Sequence, residues 1–357
     1  MRTARLLALV LLALAAGLAG CTDPDAGSPS EGTDDRGDGP DDQPGGEPAR
    51  TGVDWSQVPE SGEVPDPDRE RLTELVDRQV HNETGLRYRT PGTAGHEATV
   101  PILEDMLANA SDAVETERFR ADLPRLGEVN ATNVYGIREG DPEREIWLAA
   151  HWDSRAWADQ ALDEDRREDP VLGANDGAAA VAVATHALEL LPATNATVKV
   201  ALFDVEDQGW QGEGWIQGST HAAEQLDGTE RDRIQALILV DMPGHEQLTI
   251  RREGHSEGEA PAVTNLTFGV ADRLDASAFE NTSGPAITDD HLPFLRRDVP
   301  AVDLIHLDRN GTSPFPWTWH TPHDTPEHVS ADSMAEVTRV VTATAMAVDR
   351  GALPSDA

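Results

Sequence analysis

The chain has 357 residues, enough for one large or two smaller domains, and a formal net charge of −38 at pH 7. Such a charge repels nucleic acid and anionic membrane surfaces, so neither is expected as a direct partner. Cys21 is the only cysteine, which excludes disulfides and a cysteine nucleophile from the folded part. The charge is typical of a surface kept soluble in concentrated salt, where screening removes self-repulsion.

The first twenty residues have the pattern of a lipoprotein signal peptide. Arg2 and Arg5 precede an apolar run, residues 6–18, that is too short to span a bilayer. The run is followed by Gly20 and Cys21. Cleavage before Cys21 would leave a cysteine that carries a lipid anchor. The alternative is an ordinary secretory signal followed by a chance cysteine.

Asparagine usage also indicates export. Seven of the nine asparagines lie in Asn-X-Ser/Thr triplets, namely Asn82, Asn109, Asn130, Asn195, Asn265, Asn281 and Asn310. Each would do so by chance only about one time in eight, so the pattern predicts an N-glycosylated protein. With the signal peptide, it predicts an exported protein that is lipid-anchored on the outer face of the cell membrane.

Composition divides the chain into three parts. Residues 1–20 are the predicted signal peptide. Residues 21–65 are acidic and rich in Pro and Gly, with little apolar content, and are predicted to form a disordered linker. Residues 66–353 carry the apolar periodicity of a folded domain and are predicted to be the catalytic part.

Helical and strand-like patterns alternate within this domain. Asp66-Pro67-Asp68 predicts the start of a first helix, and a second helix is predicted to begin near His96. Strands are predicted at residues 134–137, 146–150, 198–203, 236–240, 248–250 and 301–307, and further helices at 178–191 and 334–348. This alternation predicts an α/β fold: a three-layer sandwich with a mostly parallel central β-sheet flanked by helices.

Acidic clusters and one histidine occur where these strands end. His151 and Asp153 follow one apolar run, Glu206 and Asp207 follow the next, and Asp176 lies in a glycine-rich turn between the two. Ligands of such sheets collect at the carboxyl ends of the strands. Carboxylates that converge with an imidazole, here His320, are ligands for zinc.

The ordered set of motifs resembles the M28 zinc peptidases and their relatives the glutaminyl-peptide cyclotransferases. The resemblance covers residues 89–333. Its motifs are His151-Trp152-Asp153, Gly173-Ala174-Asn175-Asp176, Phe203-Asp204-Val205-Glu206-Asp207, Asp241-Met242-Pro243-Gly244, Asp289-Asp290-His291-Leu292-Pro293-Phe294 and Trp319-His320-Thr321. Single motifs are weak, but the whole order is specific.

The resemblance implies roles for individual positions. Asp176, Asp207 and His320 match the primary zinc ligands, and Glu206 matches the proton-transfer residue. Asp207 departs from the pattern, because a glutamate is expected there; the shorter side chain would bring zinc closer to the strand end. The alternative interpretation is that these are surface acids of an acidic protein.

His151 and Asp241 match the ligands of a second metal in two-zinc aminopeptidases, with Asp176 as the bridge. Cyclases keep comparable residues but use one zinc, so both one and two ions remain open. Asp153 would orient the His151 ring, although it could equally be a turn-capping residue.

Other positions favour the cyclase interpretation. Asp289 would join Asp241 in an acidic network that titrates as a pair. Trp319 and Trp210 would wall the substrate pocket, with ordinary core packing as the alternative. Against this interpretation, animal cyclases carry a His where this chain has Asp303, as well as a disulfide that is absent here.

The sequence therefore predicts a zinc-dependent enzyme that acts on peptide or protein N-termini through Glu206, Asp241 and Asp289. The favoured activity is that of a glutaminyl-peptide cyclotransferase. The alternatives are an M28 aminopeptidase with one or two zinc ions and a metal-free receptor or scaffold. The membrane would be contacted only through the lipid on Cys21.

Overall fold

Six strands form the central sheet in a computed structural model that describes residues 52–82, 85–308 and 314–354. The predicted signal peptide, Cys21 and Asn310 lie outside the described residues. The strands of the central sheet and of three small two-stranded sheets are, in chain order, β1 (His81–Asn82), β2 (Gly85–Leu86), β3 (Ala113–Leu123), β4 (Gly127–Arg138), β5 (Asp141–His151), β6 (Ala196–Phe203), β7 (Asp207–Trp210), β8 (Glu213–Trp215), β9 (Ile234–Asp241), β10 (Ile250–Arg252), β11 (Phe279–Ser283) and β12 (Ala301–Ile305).

The helices precede, separate and follow these strands along the chain. They are α1 (Arg69–Val80), α2 (Ala94–Ala108), α3 (Ala180–Leu190), α4 (Gln217–Gln225), α5 (Gly228–Arg233), α6 (Gly254–Glu259), α7 (Pro261–Arg273), α8 (Leu292–Leu295) and α9 (Ala331–Asp349). Single 3₁₀ turns span Ser61–Glu63, Glu164–Arg166 and Pro326–His328. Asp68 caps the amino end of α1, as predicted, by accepting hydrogen bonds from the backbone of Glu70 and Arg71.

The strand order in the central sheet is β12-β9-β5-β6-β4-β3. The first four strands are mutually parallel, and β4 and β3 complete the sheet in antiparallel orientation. The four parallel strands read as nearly continuous apolar runs because both faces are covered. The predicted α/β fold with a mostly parallel sheet is confirmed.

Helices pack on the sheet to form the outer layers. α1, α3 and α9 contact one another, and α3 and α9 contact β5. Phe294 of α8 packs its ring 5.7 Å from Trp147 of β5 and 5.6 Å from Phe203 of β6, measured between ring centroids. Within the described residues, no helix is long and apolar enough to cross a bilayer.

The predicted linker of residues 21–65 extends too far toward the domain. Val53, Val58 and Val64 are buried in the main core, and the Asp54 amide donates a hydrogen bond of 2.8 Å to the carbonyl of Ala352. The Trp55 ring occupies the space that a Cβ on Gly269 would need, 2.1 Å from it. These few apolar residues are isolated in a polar, Pro-rich stretch, so its composition concealed them. The folded domain begins before residue 66.

Candidate active site

The carboxyl ends of three parallel strands place site residues at one edge of the sheet. His151 is the last residue of β5, and Asp241 is the last residue of β9. Glu206 and Asp207 come within four residues of the end of β6. Val205, just before them, has a φ of 57°, an unusual value for a β-branched residue. This backbone conformation turns the chain sharply at the strand end, as is common at functional sites.

Asp176 reaches the same edge from a π-helical turn, Ala174–Ala179, that leads into α3. The carboxylate of Asp324 accepts hydrogen bonds from the amides of Asn175, at 2.7 Å, and Asp176, at 3.1 Å. A Cβ on Gly177 would lie 2.4 Å from the His151 carbonyl oxygen and 2.7 Å from its Nε2, so only glycine fits. Sequence analysis did not select Asp324, because none of the motifs described above contains it.

Asp176, Asp207 and His320 form a first buried triad. His320 Nε2 lies 2.8 Å from Asp207 Oδ1 and 3.8 Å from Asp176 Oδ2, and one ligand atom of each residue lies within 4.8 Å of the others. Asp159, which sequence analysis missed, lies 3.2 Å from His320 Nδ1 and orients the ring so that Nε2 faces the triad. Burial opposes the charged imidazole, but Asp207 and Asp159 raise the pKa of His320 to about 9.

A second triad shares Asp176 with the first. His151 Nε2 lies 3.1 Å from Asp176 Oδ1 and 3.4 Å from Asp241 Oδ1. Asp153 Oδ1 is 3.6 Å from His151 Nδ1, beyond hydrogen-bonding distance. Asp153 instead accepts hydrogen bonds from the amides of Glu206, at 2.9 Å, and Asp207, at 3.3 Å. Its main contacts thus hold the loop that carries these two residues.

The donor atoms of both triads suit a divalent metal. Buried atoms without a hydrogen-bond partner among the described residues include Asp176 Oδ2, Asp207 Oδ2, Asp241 Oδ1 and both ring nitrogens of His151. Buried carboxylates are costly unless they are paired or bind a cation. Two carboxylates and an imidazole are the donors of an open zinc site. The Asp207 carboxylate lies within this donor group despite its shorter side chain.

Glu206 lies beside the first triad and is 9% exposed. Burial, together with the charges of Asp207, Asp289 and Asp290, raises its pKa well above the ordinary value for a glutamate. Burial and the charge of Asp241 do the same for the pKa of Asp289. Asp241 and Asp289 are thus buried close enough for the charge of Asp241 to affect the pKa of Asp289, and their titration as a pair stays a prediction.

A third group of ligand-type residues lies behind this network. His291 Nε2 is 3.0 Å from Glu253 Oε2, and His291 Nδ1 is 3.8 Å from Asp303 Oδ2. All three residues are fully buried. Glu253 also accepts hydrogen bonds from the amides of His255, Ser256 and Ile287, so it holds the start of α6 and the loop before Asp289. These contacts support the acidic network from behind.

Tryptophans surround His320. The Trp319 ring stacks on it with centroids 3.8 Å apart, and the Trp215 ring lies nearly parallel to it at 6.2 Å. Trp210 lies near the turn between β7 and β8, 37% exposed and edge-on to Trp157. Trp319 and Trp215 thus both lie beside His320, and the roles of Trp319 and Trp210 as walls of the substrate pocket stay predictions. Sequence analysis matched Trp210 to this wall across a short gap, since the spacing after Glu206 differs from that of the cyclases.

A mostly parallel sheet that brings two carboxylate–imidazole triads, joined by one aspartate, to its carboxyl edge defines a zinc exopeptidase type of fold and site. The sequence profile of Peptidase family M28 matches residues 133–345, and the chain belongs to this family. The predicted membership in this superfamily of zinc enzymes is confirmed.

Several relatives are similar over most of their lengths. The glutaminyl-peptide cyclotransferase of Drosophila melanogaster is 26% identical over 303 residues, which cover 76% of this chain and 80% of the relative. The structure of Bacteroides thetaiotaomicron glutaminyl cyclase bound to N-acetylhistamine superposes with a TM-score of 0.71 at 28% identity, covering 79% of this chain and 98% of the other. A leucine aminopeptidase precursor from the same organism superposes with a TM-score of 0.71 at 29% identity, covering 79% and 97%. The chain is therefore similar to both branches that the sequence suggested.

Proposed function

We propose that the chain is a glutaminyl-peptide cyclotransferase, which closes an N-terminal glutamine to pyroglutamate and releases ammonia. The observation that carries this proposal is the combination of an aromatic wall and an acidic network at one metal-ligand set. Trp319 stacks beside His320, where it can pack on a flat γ-amide. Buried Asp289 lies close enough to Glu206 for its charge to raise the pKa of Glu206, and Asp241 has the same effect on the pKa of Asp289. The names of the cyclase relatives support it.

Asp176, Asp207 and His320 would hold one zinc ion and leave a fourth position open for substrate. When bound, the ion would polarise the γ-carbonyl of the glutamine and make its carbon electrophilic. A cation at Asp207 would also lower the pKa of the neighbouring Glu206, which suits a carboxylate that must accept a proton.

The side chains of the site then manage protons and orientation. Glu206 accepts a proton from the α-amine as its nitrogen forms a bond to the γ-amide carbon. The bond from that carbon to the amide nitrogen breaks, and Glu206 returns the proton to the departing ammonia. Asp241 and Asp289 hold the α-amine in place. Because nucleophile and electrophile belong to one residue, the site contributes mainly orientation and charge stabilisation.

The second candidate is an M28 aminopeptidase. The His151–Asp176–Asp241 triad favours it, because these atoms lie close enough to hold a second metal ion. In that case Glu206 would activate a water molecule against the first peptide bond. A metal-free receptor or scaffold is disfavoured, since the ligand-type residues of both triads are intact and buried.

Product masses distinguish the two enzymes. The test incubates one Gln-initiated peptide and one Leu-initiated peptide with zinc-loaded protein. Cyclisation removes about 17 mass units, the expelled ammonia, from the Gln-peptide and leaves the Leu-peptide intact. Stepwise shortening of the Leu-peptide with an uncyclised Gln-peptide would establish the aminopeptidase instead. Metal content per chain, measured on the same protein, gives the number of ions.

We further propose that the protein works outside the cell, anchored by a lipid on Cys21, and acts on peptide or protein N-termini without binding nucleic acid. Of the asparagines in Asn-X-Ser/Thr triplets, Asn109, Asn130, Asn195 and Asn281 are exposed, as glycan acceptors must be. Mass spectrometry of the native protein should find residues 1–20 removed, Cys21 modified and glycans on several of these asparagines. An intact N-terminus with unmodified Cys21 would refute the anchor.

A further inference from the structure

Arg155 is among the largest fully buried side chains of the described residues, with only 1% of its surface exposed. The reaction proposed above makes no use of it. A buried cation is costly unless it is paired and hydrogen-bonded, so its partners show what the folded protein gains from it.

The guanidinium of Arg155 connects the backbone of one ligand residue to the carboxylate beside another. Its Nη1 donates hydrogen bonds to the backbone carbonyls of Asp207, at 2.7 Å, and Gly209, at 3.0 Å. Its Nε and Nη2 donate to the two carboxylate oxygens of Asp159, at 3.3 Å and 2.9 Å. Asp159 in turn lies 3.2 Å from Nδ1 of His320. One side chain therefore contacts two members of the first triad, the first through its backbone and the second through Asp159.

Two indole rings hold this guanidinium in place. Its Cζ lies over the Trp157 ring, 4.6 Å from the centroid, and over the Trp215 ring, 4.9 Å from the centroid. Cation–π contacts of a desolvated cation contribute about 2 kcal/mol. The planar fork of an arginine matches a carboxylate at two points, which the single ammonium of a lysine cannot do. The contacts thus depend on the shape of the side chain as well as on its charge.

The charge and the geometry of Arg155 should have opposite effects on a bound metal ion. Nη1 lies 4.0 Å from Asp207 Oδ1, so the positive charge would repel a cation held by that carboxylate. The pairing with Asp159 at 2.9 Å offsets this repulsion. The geometric effect is favourable: Asp207 is one methylene shorter than a glutamate, so its carboxylate follows the backbone closely, and Arg155 holds that backbone.

We infer that Arg155 is a positioning residue of the zinc site, which fixes Asp207 and His320 relative to each other and thereby sets the affinity for zinc. It does so without contact with the ion or the substrate. The inference rests on the zinc site that both candidate enzymes share, and not on the choice between their reactions. Residues that orient metal ligands typically change metal affinity by about 10–100-fold when they are replaced.

The test measures the zinc dissociation constant of the metal-stripped full chain by competition with a chelator. Arg155→Met keeps a long, unbranched side chain but donates no hydrogen bond. Arg155→Lys keeps the charge but cannot donate to Asp159 and to both carbonyls at once. We expect zinc binding to weaken by about 10–100-fold in Arg155→Met and by a smaller factor in Arg155→Lys.

Arg138→Met is the matched control. Arg138 also donates to backbone carbonyls, those of Ala110, Leu188 and Leu191. It pairs with Val198 near the start of β6, whereas the triads lie at the carboxyl ends of the strands. Arg138→Met should lower the melting temperature and keep the wild-type zinc affinity. Melting curves of the metal-free proteins separate a loss of folding from a loss of binding.

A double-mutant cycle tests the route through Asp159. Asp159→Asn should also weaken zinc binding, because it loosens the hold on the His320 ring. If Arg155 acts partly through Asp159, the fold-loss in the combined variant Arg155→Met/Asp159→Asn should be smaller than the product of the two separate losses. A combined loss equal to that product would contradict this route.

Wild-type zinc affinity in Arg155→Met would overturn the inference. So would tighter binding in Arg155→Met with no change in Arg155→Lys, because charge repulsion would then outweigh placement. An equal loss in Arg138→Met would overturn it as well, since a general loss of packing would explain both. If Arg155→Met does not fold, Arg155→Lys must still weaken zinc binding. A wild-type chain that binds no zinc would instead contradict the zinc site itself.

Discussion

At the scale of single residues, His320 is expected to be the ligand on which zinc content depends most directly. It supplies the imidazole of the first triad, 2.8 Å from Asp207, so His320→Ala should lose most of its zinc. Elemental analysis of the purified protein measures this. His255→Ala is the matched control, because His255 pairs with Glu259 on α6 and takes no part in either triad. Equal zinc content in both variants would contradict the assignment.

Glu206 is expected to transfer protons without binding the metal ion. Glu206→Gln preserves the shape of the side chain but removes its capacity to accept a proton. We expect full zinc content and a fall in kcat of about 10²–10⁴-fold. The two readouts, metal content and turnover, must diverge. A variant that loses both together would make Glu206 a ligand rather than the proton carrier.

Gly177 has a steric requirement that a single methyl group can test. In Gly177→Ala the new Cβ meets the His151 carbonyl and ring, so the turn that carries Asp176 must shift. Overpacking of this kind costs about 1–3 kcal/mol of unfolding free energy. Gly258→Ala is the control, because its Cβ meets nothing within 4 Å. Urea denaturation compares them, and equal midpoints would show that the turn adapts freely.

At the scale of elements, the segment before α1 should behave as part of the domain. A chain that begins at residue 66 loses Val53, Val58 and Val64 from the core, each worth about 1.5–3 kcal/mol when fully buried. We expect it to unfold at lower denaturant than a chain that begins at residue 52. The chain that begins at residue 52 should unfold at the same denaturant concentration as the protein that also carries residues 21–51. Equal denaturation midpoints for the two truncated chains would instead support the predicted end of the linker at residue 65.

Sequence analysis found the elements whose own residues show an apolar run or a helical period. β5, β6, β9 and β12 are apolar runs, and α9 has a clear helical period, so all five were predictable. β3 was missed because it is an edge strand whose alternation is carried by charged residues such as Glu115 and Arg118. Such a pattern resembles a solvated loop until its partner β4 is known.

The residues of the site also divide into those that the sequence identifies and those that only the tertiary structure reveals. Its ligand-type residues follow strand ends and belong to recognisable motifs, so Asp176, Asp207, His320 and their neighbours could be chosen in advance. Asp159 and Asp324 could not, because each reaches its partner across a loop whose course depends on tertiary packing. Trp215 could not be chosen in advance for a related reason, since the β7–β8 hairpin reverses the chain and pairs Trp215 with Asp207.

At the scale of the whole molecule, the charge of −38 predicts that salt stabilises the fold. The Debye length falls from about 10 Å at 0.1 M to about 3 Å at 1 M, so repulsion among surface carboxylates is screened. The melting temperature should rise between 0.1 M and several molar potassium chloride. A monotonic fall over that range would contradict salt adaptation.

The edge position of β3 links this charge to self-association. In the described part of the chain, β3 pairs with β4 alone, so its other edge offers unpaired backbone groups to a neighbouring molecule. Exposed charged side chains along it, including Glu115, Arg118, Arg120 and Asp122, discourage such pairing, and the overall negative charge keeps copies apart. Concentrated salt weakens both barriers at once. The conditions that favour folding should therefore also be those in which strand-to-strand assembly through β3 becomes easiest.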